Sequence, residues 1–142
     1  MKGQPFSNQE GFGILEVLIA LTIFAVAVLA LAQLQIGAMK GNTTSRQLTE
    51  ASYLAQNKLE QLVSLPFPSL VDDGAGSLNS TGADADGTET TSVLGATYQI
   101  SWNVDDNNPE ADMKMLQVIV TWREGAATKE LSLSRVHCHS NI

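Results

Sequence analysis

Glu16 stands at the head of an apolar run in which no charged residue occurs from Val17 to Met39, 23 positions in all. A carboxylate costs about 2.5 to 3.5 kcal/mol at the centre of a bilayer and less near its interface, so this one calls for a cationic partner. Other groups with chemical potential lie far along the chain. Asp84, Asp86 and Glu89 could offer oxygen ligands to Ca²⁺, a hard cation that wants several of them, but DADGTE lacks the spacing of an EF-hand loop. His137 and His139 flank Cys138; alternate residues on a strand share a face, which brings two imidazoles together with no evident third ligand. Acidic loops are ordinarily solvated and chain ends ordinarily carry incidental residues, so neither set is taken as a metal site. Both histidines lie in that tail, and no Gly-x-Ser-x-Gly elbow or phosphate-cradling loop is present. The sequence therefore reads as a non-enzyme that needs no cofactor.

Composition narrows the class further. The formal net charge is −7, and no Lys or Arg occurs between Lys58 and Lys114, so no broad basic patch for nucleic-acid phosphates is expected there and no nucleic-acid partner is called for. Lys40, Arg46, Lys58, Lys114, Arg123, Lys129 and Arg135 remain able to gather in three dimensions. The single cysteine, Cys138, cannot close an internal disulfide, so the folded part must hold together by packing and hydrogen bonds. A chain of 142 residues has room for one anchor and one small domain.

The apolar run is long enough to span a bilayer, since a helix needs about 20 apolar residues to do so. Ala30-Leu31-Ala32 offers a small-x-small cleavage site before Gln33, which would make the run a secretory signal and the product a secreted binding domain. The flank is wrong for that, because Lys2 is balanced by Glu10 where a basic n-region is wanted. A plain, unprocessed anchor is the other simple reading, and it leaves Glu16 without a partner.

The segment Gly11-Phe12-Gly13-Ile14-Leu15-Glu16-Val17-Leu18-Ile19-Ala20-Leu21 supplies one, because it resembles the signature of type IV prepilins: a glycine, an apolar aromatic residue, and a glutamate four residues later. Gly13 stands where that family usually carries Thr, and Glu10 where a basic or neutral leader is commoner. The resemblance implies that a prepilin peptidase in the inner membrane cuts between Gly11 and Phe12 and methylates the new amine of Phe12. On a helix Glu16 lies one turn from Phe12, within reach of an ammonium there. In the family the corresponding glutamate meets the amine of a neighbouring subunit and selects register during assembly.

The elements that must position this chemistry follow from periodicity. Leu48, Ala51, Ala55, Leu59 and Leu62 recur at helical spacing, and Pro66 and Pro68 stop a helix near Leu65. Gly37 and Gly41, each about 1 kcal/mol worse than Ala, predict a locally loosened stretch. Asp72 to Ser92 reads as a surface loop with room for one short strand. Tyr98, Ile100, Trp102 and Val104, then Leu116, Val118, Val120 and Trp122, alternate as strands that bury a tryptophan each, and Leu131 and Leu133 mark a third strand of an antiparallel meander. The expected fold is α+β: a long N-terminal helix packed on a small antiparallel sheet, which is the pilin plan. The expected divisions are a leader at 1–11, the apolar transmembrane and assembly half of the helix at 12–39, its amphipathic half at 40–65, and a β-rich domain at 66–142.

Within the family, the apolar run, the segment Leu54 to Lys58 and the late strands look most similar to minor pilins of the PilV type. Minor pseudopilins of the I class of type II secretion are a close second. No proline occurs between Phe12 and Leu65, where major pilins commonly carry one, which points to a low-abundance subunit. The resemblance implies a structural partner of other pilin or pseudopilin subunits. It would be held in the bacterial inner membrane as a precursor and then placed in a pilus or periplasmic filament, with its C-terminal domain outside the cytoplasm.

Overall fold

The computed structural model describes residues 13–72 and 78–139. One helix, α1 (Ile14–Ser64), precedes strands β1 (Gly87–Val93), β2 (Ala96–Asp106), β3 (Met113–Glu124) and β4 (Ala127–Cys138). The strands form one antiparallel sheet in the order β1-β2-β3-β4. The fold is α+β and pilin-like.

The chain divides into two compact units, one ending at Asn42 and one running from Thr43 onward. In the first, the described residues are helical from Ile14, and every residue from Gly13 to Asn42 is exposed. This part of α1 is long and apolar enough to cross a membrane, and none of its most apolar window is buried. Its backbone is satisfied within the helix, as a hydrocarbon environment requires. The hydroxyl of Thr22 donates to the Ile19 carbonyl at 2.7 Å, so this polar side chain also finds its partner within the helix. The helix runs unbroken through Gly37 and Gly41, where loosening was expected. Two glycine penalties do not outweigh a propagation that adds one hydrogen bond per residue from well-formed turns on either side.

In the second unit the rest of α1 lays Ala51, Ala55, Leu59 and Leu62 on the sheet, with Leu54 and Val63 flanking. Their partners are Tyr98, Ile100 and Val104 of β2 and Leu116, Val118, Val120 and Trp122 of β3, backed by Leu131 and Leu133 of β4. Cross-strand register puts these side chains on one face: Tyr98 lies opposite Trp122, Ile100 opposite Val120, and Val104 opposite Leu116. Leu131 and Leu133 lie opposite Val120 and Val118. The two alanines, both fully buried, allow helix and sheet to approach closely, and each large apolar side chain enclosed contributes about 1.5 to 3 kcal/mol. Leu48, grouped with this stripe by spacing, is instead 47% exposed.

The sheet has four strands where a three-stranded meander was expected, and the short strand for which the Asp72–Ser92 loop had room is β1, paired at the sheet's edge. The strand escapes an apolar-alternation test because its core-facing positions are Gly87, Glu89, Thr91 and Val93, opposite Trp102, Ile100, Tyr98 and Ala96. At a sheet edge, β-branched threonines and ladder hydrogen bonds suffice. The β1–β2 link is the two-residue turn Leu94-Gly95, both with positive φ, the geometry of a type I′ hairpin.

Trp122 is buried, whereas Trp102 is only half-buried. Its ring is covered by the Lys58 ammonium, 3.8 Å from the ring centroid, and Lys58 also pairs with Glu89 at 2.7 Å. The opposite sheet face is polar, yet Ser101 and Asn103 are buried there. Asn103 Nδ2 donates to the carbonyls of Leu78 and Ser80, both at 2.9 Å, and the Gly82 amide donates to Ser101 Oγ at 3.1 Å. One asparagine thus pins the approach to β1 across the centre of that face.

The Trp102 ring lies so close over Gly87 that a Cβ there would stand 2.0 Å from Cζ2. Gly87→Ala is therefore expected to displace the indole from Lys58 and cost about 1 to 3 kcal/mol, read as a lowered midpoint in denaturant unfolding followed by tryptophan fluorescence.

Candidate functional site

The residues singled out for processing and assembly lie at the start of α1. Gly11 and Phe12 fall outside the described residues. Glu16 occupies the first turn, its amide donating to the Gly13 carbonyl at 3.0 Å, and its side chain is exposed. Val17, Ala20, Leu21 and Phe24 continue from Glu16 along one strip of the helix. An acidic side chain in a first turn is favoured by the partial positive charge of unpaired amides. A carboxylate heading an exposed apolar strip can do no bond-breaking chemistry alone, but it is a strong acceptor for an ammonium group.

The acidic segment considered for calcium has structural duties. Asp86 Oδ2 accepts from the Val104 amide at 2.5 Å, and Glu89 is the partner of Lys58. Among the described residues no group of three or more His, Cys, Asp or Glu side chains is placed to hold a metal ion. His137 and His139 do come together, but around an aromatic ring: Phe67 lies 5.6 Å from the first and 4.9 Å from the second, centroid to centroid. The Lys114 ammonium sits 4.9 Å from the same ring, pairs with Asp106 at 2.7 Å, and donates to the Leu70 carbonyl. This cluster closes the end of the domain where the Pro66-Phe67-Pro68 segment leaves α1. Sequence reasoning did not anticipate it, because Phe67, Lys114 and His137 become neighbours only through strand register, Lys114 lying opposite His137. Cys138 is exposed.

Of the buried titratable groups, Tyr98 is shifted. Its phenol is pushed above the usual 10.0 chiefly by burial, with Glu50 adding to the rise and Arg46 opposing it.

Residues 6–32 match the prokaryotic N-terminal methylation motif, a span that contains Gly11, Phe12 and Glu16. The motif supports a type IV pilin-like or pseudopilin protein. It implies processing by prepilin peptidase and assembly with other pilin subunits, and it suggests a structural subunit rather than an enzyme. Together with the apolar helix near the N-terminus it fits a membrane-anchored precursor. Comparison with curated proteins finds no match, and comparison with solved structures finds none either.

The Tyr98 shift has a defined sign. Below pH 10 the phenol is neutral in both states; above it the unfolded chain releases a proton that the folded chain still holds, so stability falls as pH rises past 10 until the folded group titrates. Tyr98→Phe is expected to flatten this alkaline decline in thermal melts taken from neutral to alkaline pH, while other groups keep a residual slope.

Proposed function

We propose that the chain is a minor pilin. In this reading it is inserted in the inner membrane, cleaved between Gly11 and Phe12 and methylated on Phe12. It then packs through α1 with related subunits into the initiating or tip complex of a type IV pilus. The leader is 1–11, 12–39 is the anchoring and assembling half of the helix, 40–65 is its amphipathic half, and 66–142 is the part presented outside the cytoplasm. The observation that carries the reading is the coincidence of the methylation motif at residues 6–32 with a helix whose apolar residues, from Ile14 to Met39, remain exposed. Such a surface needs an apolar partner, first lipid and then neighbouring helices.

Glu16 is the register element. Two unit charges 4 Å apart attract by about 4 kcal/mol at an effective dielectric near 20, before desolvation is subtracted, which is enough to favour one docking register over its neighbours. A minor pseudopilin of type II secretion would use the same chemistry, and operon neighbours discriminate the two hosts.

Mass spectrometry of the mature N-terminus from the native host tests the reading. N-methylated Phe12 is the expected result. A chain beginning at Gln33 would indicate a secreted binding domain instead, and an intact Met1 in assembled material would leave only a membrane anchor. Glu16→Ala is expected to leave cleavage intact and to lower incorporation into sheared filaments about tenfold, the effect of a net 1.4 kcal/mol. Normal incorporation of that variant would remove the pairing from the mechanism.

A further inference from the structure

The ladder between β2 and β3 stops short of both hairpin turns. Its last pair at that end is Tyr98 with Trp122, whereas β1 stays paired with β2 as far as Val93 and Ala96, and β3 with β4 as far as Glu124 and Ala127. The two hairpins part beyond this point, and a cleft of about 570 Å³ opens there, bordered by Gly95, Ala96 and Thr97 on one side and by Trp122, Arg123 and Thr128 on the other. That volume falls among those of small-molecule sites, about 300 to 1,000 Å³. Gly95, at φ +84, has open space where a Cβ would project, so the rim stays low. The helix contributes the remaining wall. The Thr44 hydroxyl donates to the Glu124 carboxylate at the end of β3, and one turn later Gln47 lines the cleft. All of these residues belong to the second compact unit.

The lining is polar and nearly uncharged. Thr97, Gln99 and Thr121 line it from the sheet face turned away from α1, since they alternate with the core residues Tyr98, Ile100 and Trp122. Arg123 is the one charged residue of the lining, which contains no carboxylate. Two lining groups lack partners among the described residues. Gln47 Oε1 is buried and accepts no hydrogen bond, an acceptor stripped of water with nothing in exchange. The Arg123 guanidinium forms neither an ion pair nor a hydrogen bond, which leaves five N–H donors to offer. The terminal torsion of a glutamine is broad and roughly two-fold, so a donor entering the cleft recovers the Gln47 oxygen by a rotation of the amide.

A ligand suited to this lining brings a donor for Gln47 and an acceptor for Arg123, and it is not a cation. A simple carboxylate serves Arg123 alone, and an apolar molecule serves neither. A hydroxyl group serves both, because it donates one hydrogen bond and accepts two, and several hydroxyls on one ring also match the threonine hydroxyls around them. A peptide carries donors and acceptors as well, but the cleft narrows to the Tyr98–Trp122 pair, which suits a compact ring better than an extended chain.

We propose that the cleft between the two hairpins binds an uncharged sugar, with Gln47 and Arg123 recognising its hydroxyls and the threonines at 97, 121 and 128 completing the contact. The site lies outside the apolar run and the processed segment, so it does not rest on the minor-pilin reading. It gives the folded domain a ligand of its own, apart from assembly.

The test uses the full chain, isotopically labelled on its amides, in micelles of dodecylphosphocholine, a detergent without a sugar headgroup. N,N′-diacetylchitobiose, maltotriose and lactose are titrated separately into the millimolar range and followed by heteronuclear NMR. Saturable shifts centred on Gln47, Thr97, Thr121, Arg123 and Thr128 are expected with at least one of them. Gln47→Leu, similar in volume, and Arg123→Gln, at an exposed position, are each expected to keep the melting temperature and to raise Kd about tenfold. Lys129→Gln, which removes a charge outside the lining, is expected to leave Kd unchanged. Absence of a saturable shift with all three sugars overturns the proposal, as does a Kd that Arg123→Gln and Gln47→Leu both leave unchanged. Saturation by the uncharged peptide N-acetyl-tetraalanine amide and by none of the sugars also overturns it, and assigns the cleft to an extended chain.

Discussion

A helix satisfies its own backbone hydrogen bonds wherever it goes, but it cannot choose the solvent of its side chains, and α1 is one hydrogen-bonded element that must suit two. From Ile14 to Met39 its large apolar side chains are exposed, whereas from Ala51 to Leu62 one stripe is enclosed by a sheet. The rest of the structure depends on this division. The first stretch can be stable only where water is replaced by lipid or by other helices, while the second gives the sheet the apolar layer that it lacks on its own.

The sheet answers with side chains matched across β2 and β3, and it seals its flanks with polar contacts instead of more hydrocarbon. Lys58 covers Trp102 on one side, Lys114 joins Asp106, Phe67 and Leu70 at the far end, and Asn103 fastens residues 78 and 80 over the back. Each lysine is held by a carboxylate and an aromatic ring together, an arrangement that lets an ammonium lose much of its water without being left unpaired. A domain with no internal disulfide can in this way order long connections at modest cost in hydrophobic area.

Much of this was legible in the sequence because periodicity and burial coincide. Ala51, Ala55, Leu59 and Leu62 repeat at helical spacing, Tyr98 to Val104 and Leu116 to Trp122 alternate, and Pro66 follows the last helical turn closely. What could not be read depends on partners distant in sequence. The edge strand β1 is threonine-rich and follows no apolar pattern, Asn103 acts on residues more than twenty positions earlier, and the Phe67 cluster exists only once β3 and β4 are in register. The site divides similarly. The residues proposed for processing and assembly, Gly11, Phe12 and Glu16, stand in one short segment where spacing alone is informative, and the methylation motif spans them, whereas the cluster around Phe67 gains its members only through the sheet. Glycines 37 and 41 misled in the other direction, since intrinsic propensity is a weak guide inside a helix already propagating from both sides.

Strand β4 forms one border of the sheet for twelve residues, Ala127–Cys138, and among the described residues its outer backbone groups have no neighbouring strand. A border of that length invites indiscriminate pairing with any extended chain nearby. Lys129, Glu130 and Arg135 interrupt it with exposed charges of both signs, so that a second strand laid alongside would have to accommodate them in a fixed register. Charged side chains of this kind act as gatekeepers at a strand edge, blunting aggregation through the sheet while leaving the fold itself to the buried face.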